Sequence, residues 1–354
     1  MTTGATPTAA TRITADRVRE FSAAVLQACG VSADDARIVG DALAWADLRA
    51  IMPQGIAKLP LLVRRLRSGG ADPQAVVRVV AERGAFVRLD AGRATGHVAG
   101  VRAMRTAIAK ARTFGLGLAV VGNTDSGSAM GYYASLAAAE GLVGLAINNT
   151  YPLMPPHGGT TRVVGNQAFA IAVPRDGAAP LLFDSALSAL SHTGIEEMRE
   201  RGEPLPEGIA LDADGRPTTD HTAAIAGLIT PVGGHRGFGL ALMWEVLTGV
   251  LSGNERFASR ITPIGDVARP QSVAHCYLAI DPSVVMPLDA FTTRVEALID
   301  AVHASPPVPA TARVFVPGEQ GDAIVERRTH EGIEVSAAKI AELEELGREL
   351  GVPW

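Results

Sequence analysis

Apolar residues recur at helical spacing along the N-terminal stretch of the chain, then give way to short β-branched runs separated by further helical segments. Thr14 is placed to cap a helix running to about Cys29, and Ser32, with Asp35 three residues on, to cap a second. A third helix is expected over residues 59–66. It ends at Ser68-Gly69-Gly70, and Asp72-Pro73 reinforces the stop because the residue before proline disfavours helix. Residues 76–80 and 86–89 read as strands around Gly84. Residues 98–114 read as an amphipathic helix with Val98, Val101, Met104, Ala107, Ile108 and Ala111 near one face.

Residues 116–121, 143–147 and 169–173 are nearly continuous apolar runs, the composition of strands covered on both faces, and are expected to form the core sheet. The stretch 204–223, rich in Pro, Gly and Asp, reads as an excursion with short turns. Helix resumes over 237–251. A strand near 275–280, a helix over 288–303 and two polar helices at about 318–329 and 336–350 complete the chain, the last with Ile340, Leu343, Leu346 and Leu350 at helical spacing. This alternation is that of an α/β layer structure.

Composition narrows the function classes. With 354 residues, 47% hydrophobic and 19% charged, the chain can bury a large core and is neither a small binding module nor mainly disordered. Only the first ten or so residues read as a loose tail. The net charge of −5, with acids and bases interspersed, offers no basic stripe for a nucleic-acid backbone. The start lacks a basic segment followed by an apolar one, and apolar stretches elsewhere are broken well short of a membrane span, so no membrane association and a cytoplasmic location are expected. Cys29 and Cys276 are expected to be buried and reduced, without a catalytic role.

Three glycine-bearing loops bear on chemistry: residues 123–131, 155–159 and 231–237. The first and third each follow an apolar segment and precede a helix, where free N–H groups can receive a phosphate, although any one such loop alone is more often an ordinary turn. The chain carries no G-x-G-x-x-G fingerprint with a downstream acid, no P-loop, no H-E-x-x-H, no G-x-S-x-G elbow and no metal-ligand spacing among its histidines.

Taken together the loops resemble one family. Asp47-Leu48-Arg49-Ala50-Ile51, Gly55-Ile56-Ala57-Lys58-Leu59-Pro60, Met130-Gly131-Tyr132-Tyr133-Ala134, Asn149-Thr150-Tyr151-Pro152, the segment 211–220 and Gly233-Gly234-His235-Arg236-Gly237-Phe238-Gly239 are similar to motifs of the type-2 malate/L-lactate dehydrogenases. That family also includes ureidoglycolate and sulfolactate dehydrogenases and cyclic ketimine reductases. The ending Pro317-Gly318-Glu319 and Glu331-Gly332-Ile333 is similar too, so the resemblance spans roughly residues 14–351. It implies a non-Rossmann α/β fold with a central mixed sheet. A helical lobe would form from residues 12–72 and 317–354, a central α/β cofactor-binding region from 73–202 and 227–316, and a loop-rich excursion from 203–226. It also implies a homodimer with the site near the subunit contact, and NADH or NADPH as hydride carrier for small 2-oxo or 2-imino acids. By the same resemblance, Ser126, Gly127, Ser128, Ala129, Asn166, Asp184, Ser185, Ala186, His235 and Arg236 match cofactor positions. Gln54, Lys58, Thr150 and His157 match substrate positions, and Gln54, Ser126 and Lys58 stand where the catalytic groups belong.

The chain departs from the family at the chemistry. The usual Ser-His before Gly55 is Pro53-Gln54, so the histidine treated as proton donor is gone; a second histidine is Ser126, and the arginine that grips a carboxylate is Lys58. G-T-N-P becomes Gly165-Asn166-Gln167-Ala168, D-M-A-T-S becomes Asp184-Ser185-Ala186-Leu187-Ser188, the lysine after it is replaced in Thr193-Gly194, and Arg236 stands where lysine is usual. Reducing a ketone needs an acid, and neither a glutamine amide nor an unassisted serine hydroxyl supplies one. Three resolutions are open. Another group among His157, His192, His235, Asp125 and Asp184 has taken the role, the substrate is an iminium that arrives protonated, or redox chemistry has been abandoned. Lys58 itself is open between a point charge for a carboxylate and a surface lysine after a helix start, while Tyr132 and Tyr133 read as packing residues. The leading expectation is an NAD(P)-dependent oxidoreductase of specialised metabolism acting on a cyclic imine or carbonyl compound other than malate or lactate. The alternative is a non-redox descendant, a ligand-binding protein or lyase-type enzyme.

Overall fold

A computed structural model describes residues 11–309 and 311–354, with the backbone alone for His192 and Thr193. The expected tail, up to residue 10, lies outside the described residues. Strand β1 (Thr11–Ile13) leads into α1 (Ala15–Ala28), α2 (Ala33–Leu48) and α3 (Leu59–Arg67). Both anticipated caps form: the Thr14 hydroxyl accepts from the Arg17 N–H at 3.1 Å, and the Ser32 hydroxyl from the Asp35 N–H at 3.2 Å. The hairpin β2 (Arg78–Arg83) and β3 (Phe86–Asp90) is followed by α4 (Gly96–Phe114), β4 (Leu116–Thr124), α5 (Met130–Ala139), β5 (Val143–Asn148), β6 (Phe169–Val173) and β7 (Leu181–Ser185). After α6 (His192–Glu200) come the short elements β8 (Ala210–Leu211), α7 (His221–Ala226) and β9 (Leu228–Ile229). Then come α8 (His235–Glu245), which runs on as one π turn over Val246–Val250, β10 (Val273–Ile280), α9 (Leu288–His303), α10 (Glu319–Glu331), β11 (Ile333–Val335) and α11 (Ala337–Leu350).

Seven strands form the central sheet in the order β2-β3-β4-β10-β5-β6-β7. β3 and β4 pair parallel and the other neighbours antiparallel, so the sheet is mixed, as expected. Its middle strands are covered on both faces, which is why they are apolar at nearly every position. Ala119 and Val121 of β4, Ala146 of β5, Ala170 of β6 and Tyr277 of β10 face the core shared with α4 and α5. Val120, Ile147, Phe169 and Cys276 face the opposite way, into a second cluster with Ala241 of α8. Each valine, isoleucine or phenylalanine among them contributes about 1.5–3 kcal/mol by leaving water, and each alanine methyl less. The first cluster is continuous from Val18, Phe21 and Leu43 through Met104 to the sheet and out to Leu343 of α11. β1 pairs with β11, tying the first described residues to the C-terminal helices.

Several elements differ from expectation. β2 lies over Arg78–Arg83 rather than 76–80, because pairing of Arg83 with Phe86 across the turn sets the register, and every residue of this edge strand is exposed, so burial leaves no pattern to read. β7 and the β1–β11 pair were not anticipated. β7 is an edge strand with only Leu182 buried, and the three-residue pair exists through tertiary contact alone. α8 starts two residues earlier than expected, at His235.

The sheet topology gathers one set of loops. Because β10 runs antiparallel to both β4 and β5, and β6 antiparallel to β5, the segments leaving β4 and β5 and those entering β6 and β10 all lie at the same end. A register shift between Val273 and His275 marks a bulge there.

Candidate active site

The first wall of the site is built by the chain between α2 and α3, which makes two 3-10 turns over Met52–Gln54 and Ile56–Lys58. Asp47, fully buried at the end of α2, accepts the Ile56 N–H at 2.8 Å, and Arg328 of α10 bonds its backbone carbonyl. Gly55 is packed so tightly on this carboxylate that a Cβ would lie 1.8 Å from Oδ1. Burial pushes the Asp47 carboxyl up to about 7, against the pull of the Ile56 N–H. The clamp turns Gln54 and Lys58 toward the end of the sheet.

There they meet the loops of the sheet around a cavity of about 520 Å³, whose lining includes Gln54, Lys58, Ser126, Ser128, Thr150 and Asn166. The Thr150 hydroxyl donates to Asn166 Oδ1 at 2.8 Å and accepts the Asn166 N–H at 3.1 Å, while Gln167 Oε1 accepts the Thr150 N–H at 3.1 Å. Behind them the buried Glu245 of α8 accepts from Asn149 Nδ2 at 2.9 Å, Gln167 Nε2 at 2.6 Å and the Ala258 N–H at 2.9 Å. The β4–α5 turn is held from the other side. Asp125 receives two bonds from Arg65, at 2.7 and 2.9 Å, in a fully buried ion pair, and Gln271 Oε1 accepts the Ser126 N–H at 2.9 Å.

Lys58 is the electrostatic centre. It is 8% exposed, which overturns the surface reading, and its Nζ donates to Gln54 Oε1 at 3.0 Å and Ser128 Oγ at 2.8 Å. Ser128 reaches it from a left-handed conformation, φ 67°, and contacts His97 Nε2 at 2.9 Å. An ammonium has donors only, so Ser128 Oγ accepts from Lys58; with His97 in its Nδ1–H tautomer the Ser128 hydroxyl donates to Nε2, and the buried Nδ1 has no partner among the described residues. Burial pushes His97 down to about 3, with the nearby Lys58 charge adding to it, so the ring is neutral. Burial likewise lowers Lys58 to about 8; Asp125 opposes the shift and Arg65 adds to it.

Of the residues marked from sequence, the structure thus brings six to one cavity. His157 and Gly234 instead line a second cavity, of about 560 Å³, where the His157 ring stands 5.8 Å edge-on from that of His235. His235 and Arg236 are exposed at the head of α8. Gly127 and Ala129 are buried in the β4–α5 turn and do not line the first cavity. Asp184 of β7 accepts the Gly131 N–H at 2.9 Å, so the start of α5 spends that donor on the protein's own carboxylate, which burial lifts to about 6. Ser185 bonds the carbonyl of Ala186, and neither lines the cavity. Among the candidate acids, Asp125 is committed to Arg65, and the His192 side chain lies outside the described residues. Tyr133 is fully buried and pushed far above the ordinary phenol range by burial, in keeping with a packing role.

Sequence reasoning missed three residues. His97 acts from behind, on Ser128, while Gln271 lines the cavity and holds the Ser126 N–H. Asn148, at the end of β5, lines the cavity while buried, and neither its Oδ1 nor its Nδ2 has a partner. The ordered polar pair Asn148-Asn149 closing an apolar run was the available signal, since a strand interior rarely spends two amides without a ligand or network to satisfy them.

Comparison with known proteins gives a consistent result. The family described as Malate/L-lactate dehydrogenase matches residues 13–344. The chain is 35% identical to (2R)-3-sulfolactate dehydrogenase (NADP(+)) of Chromohalobacter salexigens over 86% of this chain and 91% of that one. It is 34% identical to Delta(1)-pyrroline-2-carboxylate reductase 2 of Burkholderia multivorans over 85% and 89%. Among solved structures, sulfolactate dehydrogenase of Methanocaldococcus jannaschii superposes with a TM-score of 0.92 at 29% identity, covering 97% of this chain and 98% of that one.

Proposed function

The chain belongs to the malate/L-lactate dehydrogenase family, and from that premise we propose that it is an NADH- or NADPH-dependent oxidoreductase whose substrate, a small anionic carbonyl compound or cyclic imine, is converted in the cavity around Lys58. The observation that carries the reading is the convergence of Gln54, Lys58, Ser126, Ser128, Thr150 and Asn166 on that one cavity. Its volume of about 520 Å³ falls within the range of small-molecule sites. Lys58 and Arg64 both line it, and the other ionic wall, Lys339 with Glu342, is internally paired, so the balance of charge favours an anion.

The residues fit a nicotinamide. The buried Asn148 amide needs both a donor and an acceptor from a ligand, which is what a carboxamide presents. Asn148, with Ser126 and Asn166, would hold that end; His235 and Arg236 at the head of α8 are the candidate contacts for the dinucleotide phosphates. The bound cofactor supplies hydride. Thr150, fixed by Asn166 and Gln167, orients the substrate, and Glu245 keeps that loop rigid. Malate and lactate are expected to be poor substrates, because the planar two-pronged grip of arginine on a carboxylate is replaced here by the point charge of Lys58.

Assembly as a homodimer is part of the proposal. Leu240, Met243, Val246 and Val250 on α8 and its extension leave large apolar side chains exposed, as do Ile171 and Phe183 at the β6–β7 edge, a surface that solvent does not favour. Light scattering at twice the chain mass of 36.7 kDa is the expected result. The activity is tested by following reduced-nicotinamide consumption over a panel of 2-oxo acids, sulfonated analogues and cyclic imines. Turnover of at least one of them well above malate and lactate supports the reading. Absence of binding to either nucleotide would leave the non-redox alternative standing.

A further inference from the structure

The chain holds three lysines, at positions 58, 110 and 339, against 29 arginines. Lysine is thus scarce in the chain, and one of the three is buried in the lining of the substrate cavity. There Nζ forms no ion pair with a carboxylate among the described residues, and two of its three hydrogens go to Gln54 Oε1 and Ser128 Oγ. The third finds no acceptor among the described residues, and Lys58 lines the cavity. We propose that Lys58 is the proton donor of the reduction: its free Nζ–H protonates the carbonyl oxygen of a small 2-oxo acid, while Gln54 and Ser128 fix the ammonium and His97 fixes Ser128. This inference rests on the oxidoreductase reading and supplies the acid that Gln54 and Ser126 cannot.

The step balances. Hydride, with reduced nicotinamide as the electron source, reduces the carbonyl carbon, and the C=O π pair moves onto oxygen. That oxygen takes H⁺ from Nζ, an O–H bond forming as the N–H bond breaks, and the bonding pair stays on nitrogen as the lone pair of a neutral amine. Solvent entering through the cavity mouth then returns the proton. Gln54 and Ser128 are positioning residues. Each accepts from the ammonium without competing for the proton, and the neutral His97 consumes the Ser128 hydrogen so that the serine oxygen stays turned toward Lys58.

The surroundings tune the amine for the task. Desolvation favours its neutral form, Arg65 of α3 repels it and Asp125 of the β4–α5 turn attracts it, which sets Lys58 at about 8. His97 of α4 and His275 of β10 are both pushed down by burial, to about 3 and about 4, so neither adds charge near neutrality. Arg64 and the Lys339–Glu342 pair also line the cavity. Arginine at this position cannot release a proton in the working range, so the substitution that weakens a carboxylate grip is the same one that creates an acid.

Two measurements test this. In the ligand-free protein carrying isotope-labelled lysine, one of three side-chain NMR signals is expected to titrate near 8, and to be the signal lost in Lys58→Arg. In single-turnover reduction, the rate is expected to fall as pH rises through the same midpoint. Lys58→Arg and Lys58→Met should transfer hydride about 10²–10⁴-fold more slowly while binding the nucleotide normally, and Lys58→Arg should lose the alkaline limb. Ser128→Ala should move that limb to lower pH, which a merely structural role would not do. Titration of all three lysines near the ordinary 10.5 overturns the proposal, as does an unchanged rate and limb in Lys58→Arg with nucleotide binding intact. A wild type that binds neither NADH nor NADPH overturns the oxidoreductase reading and this inference together.

Discussion

Replacing Asp125 with asparagine tests how the β4–α5 turn is held. The guanidinium of Arg65 is wholly buried, and its only carboxylate partner among the described residues is Asp125, bonded twice at 2.7 and 2.9 Å. Asp125→Asn keeps the shape, removes the counter-charge and turns an amide donor toward a donor. Breaking a buried pair from one side costs about 3–5 kcal/mol, because the remaining charge stays desolvated. Here the carbonyls of Gly70, Ile264, Asp266 and Arg269 also accept from Arg65, which places the cost toward the lower end. With an unfolding entropy of about 2.1 cal/mol/K per residue, a chain of 354 residues loses about 4–7 °C in Tm for that range. The charge lost also lifted Lys58, so the alkaline limb of reduction should move to lower pH. Differential scanning calorimetry and a pH–rate profile on one preparation read both effects. A Tm change below about 1 °C, or a limb that stays in place, would refute the account of this pair.

Other consequences follow from neighbouring contacts. Gly55→Ala forces a Cβ into the Asp47 carboxylate, so the 52–58 turns must shift; KM should rise several-fold and thermal stability drop, as steady-state kinetics and a melting curve will show. Asp47 holds its proton to about 7 when folded but releases it from an ordinary value of 3.8 when unfolded. Its contribution is therefore fully present below the unfolded value and lost as pH rises through about 7. Urea midpoints should fall from about pH 6 to about pH 8 in wild type, and less in Asp47→Asn. Glu245→Ala strands the amides of Asn149 and Gln167 and the Ala258 N–H; at about 1–3 kcal/mol for each buried orphan, denaturation should reveal a loss of about 3 kcal/mol or more.

The parts of the fold that were legible in the sequence are those where burial writes a pattern. β4, β5 and β6 sit under cover on both faces and so are continuously apolar, and the face of α4 from Val98 to Ala111 is buried as its spacing requires. β2, exposed at every residue, and the β1–β11 pair, joined across the whole chain length, carry no such mark. In the site, Gln54, Lys58, Ser126, Thr150 and Asn166 were identified because their loops resemble a family. The burial of Lys58 and its two acceptors, one of them 70 residues away, were not visible, because packing sets them. His97 and Gln271 were silent for the same reason: a polar residue's partners are set by packing, and its sequence neighbours do not name them.

The account stands on hydride being delivered in the Lys58 cavity, and isotope transfer reads this directly. Reduced nicotinamide carrying deuterium at its transferable position is given to the wild-type enzyme with its best substrate from the panel, and the product is weighed by mass spectrometry. One deuterium per product, bound to carbon and not exchangeable with solvent, is the predicted result, with formation slowed about 10²–10⁴-fold in Lys58→Met. Product without the label, or label delivered equally fast by Lys58→Met, would contradict it.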